Sequence, residues 1–156
     1  MTATKTLVAG IGNIFNGDDG FGSEVAQRLA DRPMPEGVHV EDYGIRGVHL
    51  AYELLEGYDL VVLVDALPHG EPVGTISVIE PSVDLDEVPP LDSHQMDPRA
   101  VLGMVAEMGG EISRLLLVGC EPADIGEGMG LSPPVAAAVE DAARVVEELI
   151  AEKETS

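Results

Sequence analysis

The stretch that decides the fold is Leu60-Val-Val-Leu-Val-Asp-Ala66. Residues 60–64 are continuously apolar and rich in β-branched side chains, a pattern typical of a strand that helices cover on both faces. We therefore expect this strand to be central in a parallel sheet. Asp65 ends the run. A carboxylate at the end of a buried strand has to be hydrogen bonded, paired or bound to a metal, because leaving it bare costs several kcal/mol. Asp65 is therefore a candidate functional residue.

Patterns on either side of this run alternate between strands and helices. Further strands are predicted at residues 6–9, 38–40, 75–79 and 115–118. Helices are predicted at residues 21–29, near 50–55, at 100–108, and from Pro133 onward with Ser132 as the N-cap. The connection into residues 75–79 is too short for a helical crossover, which predicts an antiparallel edge strand. The fold class is α/β, a three-layer sandwich with a mostly parallel twisted sheet of about five strands and helices on both faces.

Composition limits the domain count and the partners. The 156 residues with 45% apolar content suffice for one ordinary core, so we predict a single domain over residues 1–156. There are 29 acidic and 8 basic side chains and a net charge of −21, which disfavours nucleic-acid and membrane partners but leaves a basic partner possible. The single Cys120, the lack of a signal-peptide pattern and of an apolar run of roughly 20 residues predict a soluble, cytoplasmic protein.

Two carboxylates and one imidazole are expected at the carboxyl edge of the sheet, where open α/β sheets bind ligands. Asp19 lies in the loop after the first strand, Asp65 ends the central strand, and His94 precedes the next helix. An O,O,N donor set with open positions suits a borderline divalent ion such as nickel or zinc. The alternative for Asp19 and its neighbour Asp18 is that they only cap the first helix.

Other site types are poorly supported. The run Gly10-Ile-Gly-Asn-Ile-Phe15 lacks the third glycine of a dinucleotide fingerprint, and neither a P-loop nor a Gly-x-Ser-x-Gly motif is present. Gly10, Gly12 and Asn13 are instead expected to form a tight turn with positive φ. Cys120 is interpreted as a small core residue. Surface roles are expected for three further histidines, His39, His49 and His69.

A series of short motifs carries a family resemblance. The motifs are Gly10-Ile-Gly-Asn13, Asp18-Asp-Gly-Phe-Gly22, Asp42-Tyr-Gly-Ile-Arg-Gly47, Val64-Asp-Ala66, Ser93-His-Gln95, Val118-Gly-Cys-Glu-Pro122 and Gly130-Leu-Ser-Pro133. In these motifs and in their order the chain resembles the hydrogenase maturation endopeptidases. Each motif alone is weakly diagnostic, but together they cover nearly the whole chain and are highly specific.

The resemblance implies an endopeptidase that removes a C-terminal peptide from the large-subunit precursor of a nickel-iron hydrogenase after nickel is inserted. It also implies that Asp19, Asp65 and His94 occupy the family's metal-binding and catalytic positions, the first of which is Asp or Glu. The nickel is then carried by the precursor and serves as a recognition signal. Other divalent ions, such as zinc or cadmium, can also occupy such a site.

One loop departs from the family pattern. Relatives often read Asp-Gly-Gly-Thr after the second strand, whereas this chain reads Asp42-Tyr-Gly44-Ile followed by Arg46. Tyrosine and arginine add bulk and charge, which predicts that Asp42, Gly44 and Arg46 bind the substrate and tune which precursor is accepted. The alternative is an ordinary strand-to-helix turn.

The residues leave the chemistry open. A metal here can polarise the scissile carbonyl or activate a water, or one carboxylate can act as the general base. No serine or cysteine is well placed as a nucleophile, which favours direct attack by water. The alternative to an enzyme is a non-catalytic assembly factor that senses the metal and holds the hydrogenase large subunit until it is complete.

Overall fold

A computed structural model of the protein describes residues 5–80 and 98–155. The described strands are β1 (Thr6–Ile11), β2 (Val38–Gly44), β3 (Leu60–Ala66), β4 (Ile76–Ile79) and β5 (Leu115–Cys120). The described helices are α1 (Phe21–Ala30), α2 (Gly47–Leu54), α3 (Pro98–Glu107) and α4 (Pro133–Thr155), and a 3-10 turn at Gly17–Gly20 precedes α1. Over this part of the chain, no helix is long and apolar enough to cross a membrane.

The strands form one five-stranded sheet in the order β2-β1-β3-β5-β4. β1 is parallel to both β2 and β3, and β3 is parallel to β5. β4 lies at the edge and is antiparallel to β5, with Ile76 opposite Cys120. The predicted α/β class, the central position of β3 and the antiparallel edge strand are therefore confirmed.

β3 is buried along its whole length because it supplies two cores. Val62 and Val64 pack in the core beneath α1 and α4, whereas Val61 and Leu63 pack in the core beneath α2 and α3. Successive side chains of a strand point to opposite faces of the sheet, so a strand between two helical layers has to be apolar at every position. Each such side chain stabilises the fold by about 1.5–3 kcal/mol.

α1 packs unusually close to the sheet, and two glycines allow it. A Cβ on Gly10 would overlap the carbonyl oxygen of Gly22, and a Cβ on Gly22 would overlap the carbonyl oxygens of Val64 and Ile11. Backbone atoms cannot move aside as a flexible side chain can. The close approach brings the loop between β1 and α1 down onto the end of β3, where the 3-10 turn contacts that strand.

Some predicted boundaries and turn residues need correction. β2 continues to Gly44, because Asp42 still pairs with Gly10 and, after a bulge, Gly44 pairs with Ile11. The expected positive-φ turn after β1 is right only for Gly12, which has a φ of 131°. Gly10 has a negative φ and is needed for the contact with α1. Asn13 also has a negative φ, and every residue with a positive φ in the described chain is a glycine.

Candidate active site

Two of the predicted site residues, Asp19 through its backbone and Asp65 through its carboxylate, approach the backbone of Gly12. A Cβ at Gly12 would overlap the carbonyl oxygen of Asp19 and would lie 3.5 Å from Oδ1 of Asp65. The N–H of Gly12 donates to the carbonyl oxygen of Gly44 at 2.9 Å. Gly12 is therefore the place where the loops after β1 and β2 meet the carboxyl end of β3. Only glycine combines its positive φ with this lack of space.

Asp65 is a nearly buried carboxylate, with 6% of the residue exposed. It is the penultimate residue of β3, one position from the predicted strand end, and it pairs in the sheet with Gly119 of β5. Its Oδ1 accepts a hydrogen bond from the N–H of Ala66 at 2.8 Å. Asp65 therefore stands at the carboxyl edge, between the ends of β1 and β5.

Asp19 is half-buried and lies in the 3-10 turn. Its Oδ2 accepts a hydrogen bond from the N–H of Asn13 at 2.9 Å, and its own N–H donates to the carbonyl oxygen of Asn16 at 3.1 Å. Oδ1 of Asn13 accepts from the N–H of Phe15 at 2.9 Å, which closes a tight local turn. These local bonds curl the loop so that the Asp19 backbone reaches Gly12.

Asp18 is a structural carboxylate rather than a helix cap. It is 1% exposed, and Oδ2 accepts from the N–H groups of Ala123 and Asp124 and from the hydroxyl of Ser132, at 2.8, 3.1 and 2.8 Å. Oδ1 accepts from the N–H of Ser132 at 2.7 Å. Burial alone would raise the pKa of Asp18, but these hydrogen bonds outweigh burial and hold the pKa below its ordinary value. The capping interpretation of Asp18 is therefore wrong, because α1 begins after Gly20 without a side-chain cap.

The Asp18 bonds are part of a larger pairing between residues 13–19 and residues 123–132, which we call the loop clasp. Within the loop clasp, the N–H of Gly17 donates to the carbonyl of Gly128 at 2.7 Å, and the N–H of Gly128 donates to the carbonyl of Phe15 at 2.8 Å. The N–H of Asp18 donates to the carbonyl of Asp124 at 2.8 Å. Because β3 lies between β1 and β5, the paired loops pass the end of β3 that carries Asp65.

The turn between β2 and α2, residues 42–47, lies on the other side of Gly12. Asp42 accepts hydrogen bonds from the hydroxyl of Ser23 at 2.7 Å, from Nε2 of Gln27 at 3.1 Å and from the N–H of Gly44 at 3.0 Å. Arg46 donates to the carbonyl oxygens of Asp42 and Tyr43 at 2.6 and 3.2 Å. Asp42 and Arg46 thus fix the shape of this turn, and half of the Arg46 side chain stays exposed at 50%.

The structure therefore places some of the predicted site residues near Gly12, and one lies outside the part of the chain that it describes. The backbone of Asp19 and the carboxylate of Asp65 adjoin Gly12, and the carbonyl of Gly44 accepts a hydrogen bond from the same residue. His94 lies outside the described residues. Within residues 5–80 and 98–155, no group of three or more His, Cys, Asp or Glu side chains is arranged to hold a metal ion. Of the three residues of the expected O,O,N set, Asp19 and Asp65 lie within the described part of the chain.

Comparison with known proteins identifies the family. The sequence profile of the hydrogenase maturation protease family, HycI, matches residues 23–149. This chain belongs to the hydrogenase maturation protease family. It is 34% identical over 161 residues to the hydrogenase expression/formation protein HoxM of Azotobacter vinelandii, a match that covers 98% of this chain and 75% of that protein.

Solved structures agree with membership of the hydrogenase maturation protease family. The fold superposes on the hydrogenase maturating endopeptidase HybD of E. coli with a TM-score of 0.80 and 25% identity, covering 96% of this chain and 94% of that one. It also matches the hydrogenase 2 maturation peptidase of Thaumarchaeota archaeon SCGC_AB-539-E09, with a TM-score of 0.74 and 29% identity over 95% and 99% of the two chains. The predicted resemblance and the predicted enzyme class, a peptide-bond hydrolase, are confirmed.

For a hydrogenase maturation protease, Cys120 is the obvious alternative nucleophile, and its environment opposes that role. The side chain is buried at the end of β5, with 1% of the residue exposed. Burial, with smaller contributions from the negative charges of Asp18 and Glu121, raises the pKa of the thiol to about 11. Since the thiolate is the nucleophilic form, burial and the raised pKa both oppose a nucleophilic role for Cys120 at neutral pH. The interpretation of Cys120 as a core residue agrees with this.

Proposed function

We propose that this maturation protease removes a C-terminal peptide from the precursor of a nickel-iron hydrogenase large subunit, and that the nickel already held by the precursor is its recognition signal. Asp19, Asp65 and His94 meet that nickel in the docked complex. The single observation that carries this proposal is that the loop carrying Asp19 and the carboxylate of Asp65 meet at Gly12, on the edge of the sheet where α/β proteins bind ligands.

The chemistry of the two carboxylates fits a visiting divalent ion. Asp65 is nearly buried and bonded through Oδ1 to its own chain neighbour, so its position is set before the substrate arrives. Asp19 is held by the N–H of Asn13 in the same way. Oxygen donors with one imidazole suit nickel or zinc, and three side chains leave coordination positions for the ligands that the precursor supplies.

The reaction needs a water molecule directed at the scissile carbonyl. Because Cys120 is buried and its thiol pKa is raised, we assign attack to water, activated either by the nickel or by one of the carboxylates acting as a general base. The two carboxylates stand on different elements, a loop and a strand. Docking of the precursor against the sheet edge shields both from solvent and strengthens their interactions with the reacting groups.

The test is the intact mass of a nickel-loaded large-subunit precursor from the same cell, incubated with the protein. The wild type should release one discrete C-terminal peptide, and precursor without nickel should remain whole. Asp65→Asn keeps the shape of the side chain but removes its charge, and it should slow release at least about 100-fold. His94→Ala should do the same.

The matched control is Asp141→Asn, which neutralises a carboxylate on α4 whose side chain is 64% exposed. It should cleave at the wild-type rate. No mass loss with the wild type, in spite of binding, would establish the non-catalytic assembly factor instead. Full activity of Asp65→Asn would show that cleavage does not need the charge of the Asp65 carboxylate beside Gly12.

A further inference from the structure

We propose that the loop clasp is a docking surface for a segment of the hydrogenase precursor in which apolar side chains adjoin lysine or arginine. This inference rests on the proposed function, because the partner is the precursor. It adds a contact surface of exposed apolar side chains beside Asp19.

The loop clasp exposes large apolar side chains. The exposed fractions are 38% for Ile14, 60% for Phe15, 50% for Ile125 and 72% for Met129. Phe15 and Gly128, the neighbour of Met129, are joined by a backbone hydrogen bond of 2.8 Å. Asp124, the neighbour of Ile125, is joined to Asp18 in the same way, at 2.8 Å. The pairing thus brings exposed apolar residues from two distant parts of the sequence into one pair of hydrogen-bonded loops, and clustered exposed apolar residues mark interaction sites.

The surface is also held in shape before any partner binds. Asp18 fastens the two halves with four hydrogen bonds from Ala123, Asp124 and Ser132. A contact surface that is already ordered loses less conformational entropy on binding than a flexible loop does. Outside the clasp, a second group of exposed apolar residues lies on α2 and the residues next to it, namely Ile45, Val48, Tyr52 and Leu55, whereas Val78 on β4 and Met108 after α3 lie singly.

Charge indicates which apolar segment fits. Neither residues 13–19 nor residues 123–132 contain a lysine or an arginine, whereas the exposed Asp124 and Glu127 alternate in the sequence with the exposed Ile125 and Met129. The whole chain carries a net charge of −21. An acidic partner would be repelled, and a segment with apolar and basic side chains would be attracted. The same surface adjoins Asp19, so a segment docked there is close to the candidate site.

The experiment compares two double variants for binding and cleavage of nickel-loaded precursor. Phe15→Ser with Met129→Ser removes the two most exposed apolar side chains of the clasp. Val78→Ser with Met108→Ser is the matched control, with exposed fractions of 47% and 37% on other elements. We expect the clasp variant to raise Kd and KM about tenfold and to change kcat far less. The control should stay within about twofold of wild type.

A third variant, Glu127→Gln, tests the charge. Higher salt should weaken binding of the wild type, and Glu127→Gln should reduce that salt dependence. Unchanged Kd in the clasp variant would overturn the proposal, and salt-independent binding would overturn its basic component. If sedimentation shows a wild-type dimer that the clasp variant abolishes, the occupant is a second copy and the proposal is wrong. Failure of the wild type to cleave would count against the proposed function alone, because Kd is measured without cleavage.

Discussion

The two loops that flank Gly12 are each held by a carboxylate, but they differ in burial and in what the carboxylate connects. In the loop clasp, Asp18 is 1% exposed and joins segments 105 to 114 residues apart. In the β2–α2 turn, Asp42 is half-buried and its side-chain partners Ser23 and Gln27 lie 19 and 15 residues away. The first carboxylate fastens two loops together, whereas the second fastens a turn to the adjacent helix.

The same arrangement, a carboxylate that accepts several hydrogen bonds, is expected to matter more for stability in one loop than in the other. Several N–H and O–H donors around a carboxylate give charge-assisted hydrogen bonds in both loops. Where water is excluded, as at Asp18, the donors lose their only partner if the carboxylate is removed. Where water reaches the group, as at Asp42, it can replace the lost acceptor. We therefore expect the clasp to tolerate substitution less than the turn.

The largest effect is expected for Asp18→Ala. This change leaves the N–H groups of Ala123, Asp124 and Ser132 without their acceptor, and we expect the free energy of unfolding to fall by about 3–5 kcal/mol. Urea unfolding followed by circular dichroism measures it. Asp141→Ala, on the exposed surface of α4, is the control and should change stability by less than about 0.5 kcal/mol. A loss at Asp18 no larger than this control would contradict the structural role of the buried carboxylate.

A smaller effect is expected for Asp42→Ala. The hydroxyl of Ser23, which is fully buried, loses its acceptor, whereas Gln27 and the turn can be rehydrated. The expected loss is about 1–2 kcal/mol in the same unfolding assay. If Asp42→Ala lowers the free energy of unfolding as much as Asp18→Ala does, the difference in burial between the two carboxylates does not determine their contributions to stability. Ser23→Ala in the Asp42→Ala background should recover part of the loss, because it removes the orphaned hydroxyl.

The smallest effect is expected for Arg46→Ala. Half of this side chain is exposed and its bonds go to carbonyl groups of its own turn, so stability should change by less than about 0.5 kcal/mol. Binding of the nickel-loaded precursor should weaken about threefold, the effect of a charge at the rim of an interface. Titration calorimetry with the precursor measures the affinity. Cleavage kinetics equal to the wild type would exclude Arg46 from substrate recognition.

Local pattern was sufficient to predict most of the fold. The unbroken apolar run of β3 can be satisfied only between two helical layers, and the short connection into β4 left no room for a crossover. The site followed in part from the same logic, because Asp19 follows β1 and Asp65 lies at the end of β3, the neighbouring parallel strand. Their meeting point could be expected at the carboxyl edge.

The role of Asp18 could not be predicted, because its donors are backbone groups of a loop more than a hundred residues later. Every residue except proline has a backbone N–H, so the sequence does not show which of these groups will bind Asp18. An aspartate just before a helix therefore resembled a helix cap. The extension of β2 to Gly44 was missed for a related reason. Pairing with β1 overrides the weak strand propensity of Asp42 and Gly44.

The long span of the loop clasp sets an order of events during synthesis. Asp19 and Asp65 leave the ribosome early, but the groups that fasten the loop carrying Asp19 follow Asp18 by 105 to 114 residues. At about 5–20 residues per second, that delay is roughly 5–20 s. The nascent chain therefore holds Asp19 in an unfastened loop until Ser132 has emerged, and the geometry around Asp19 is among the last parts of the molecule to assemble.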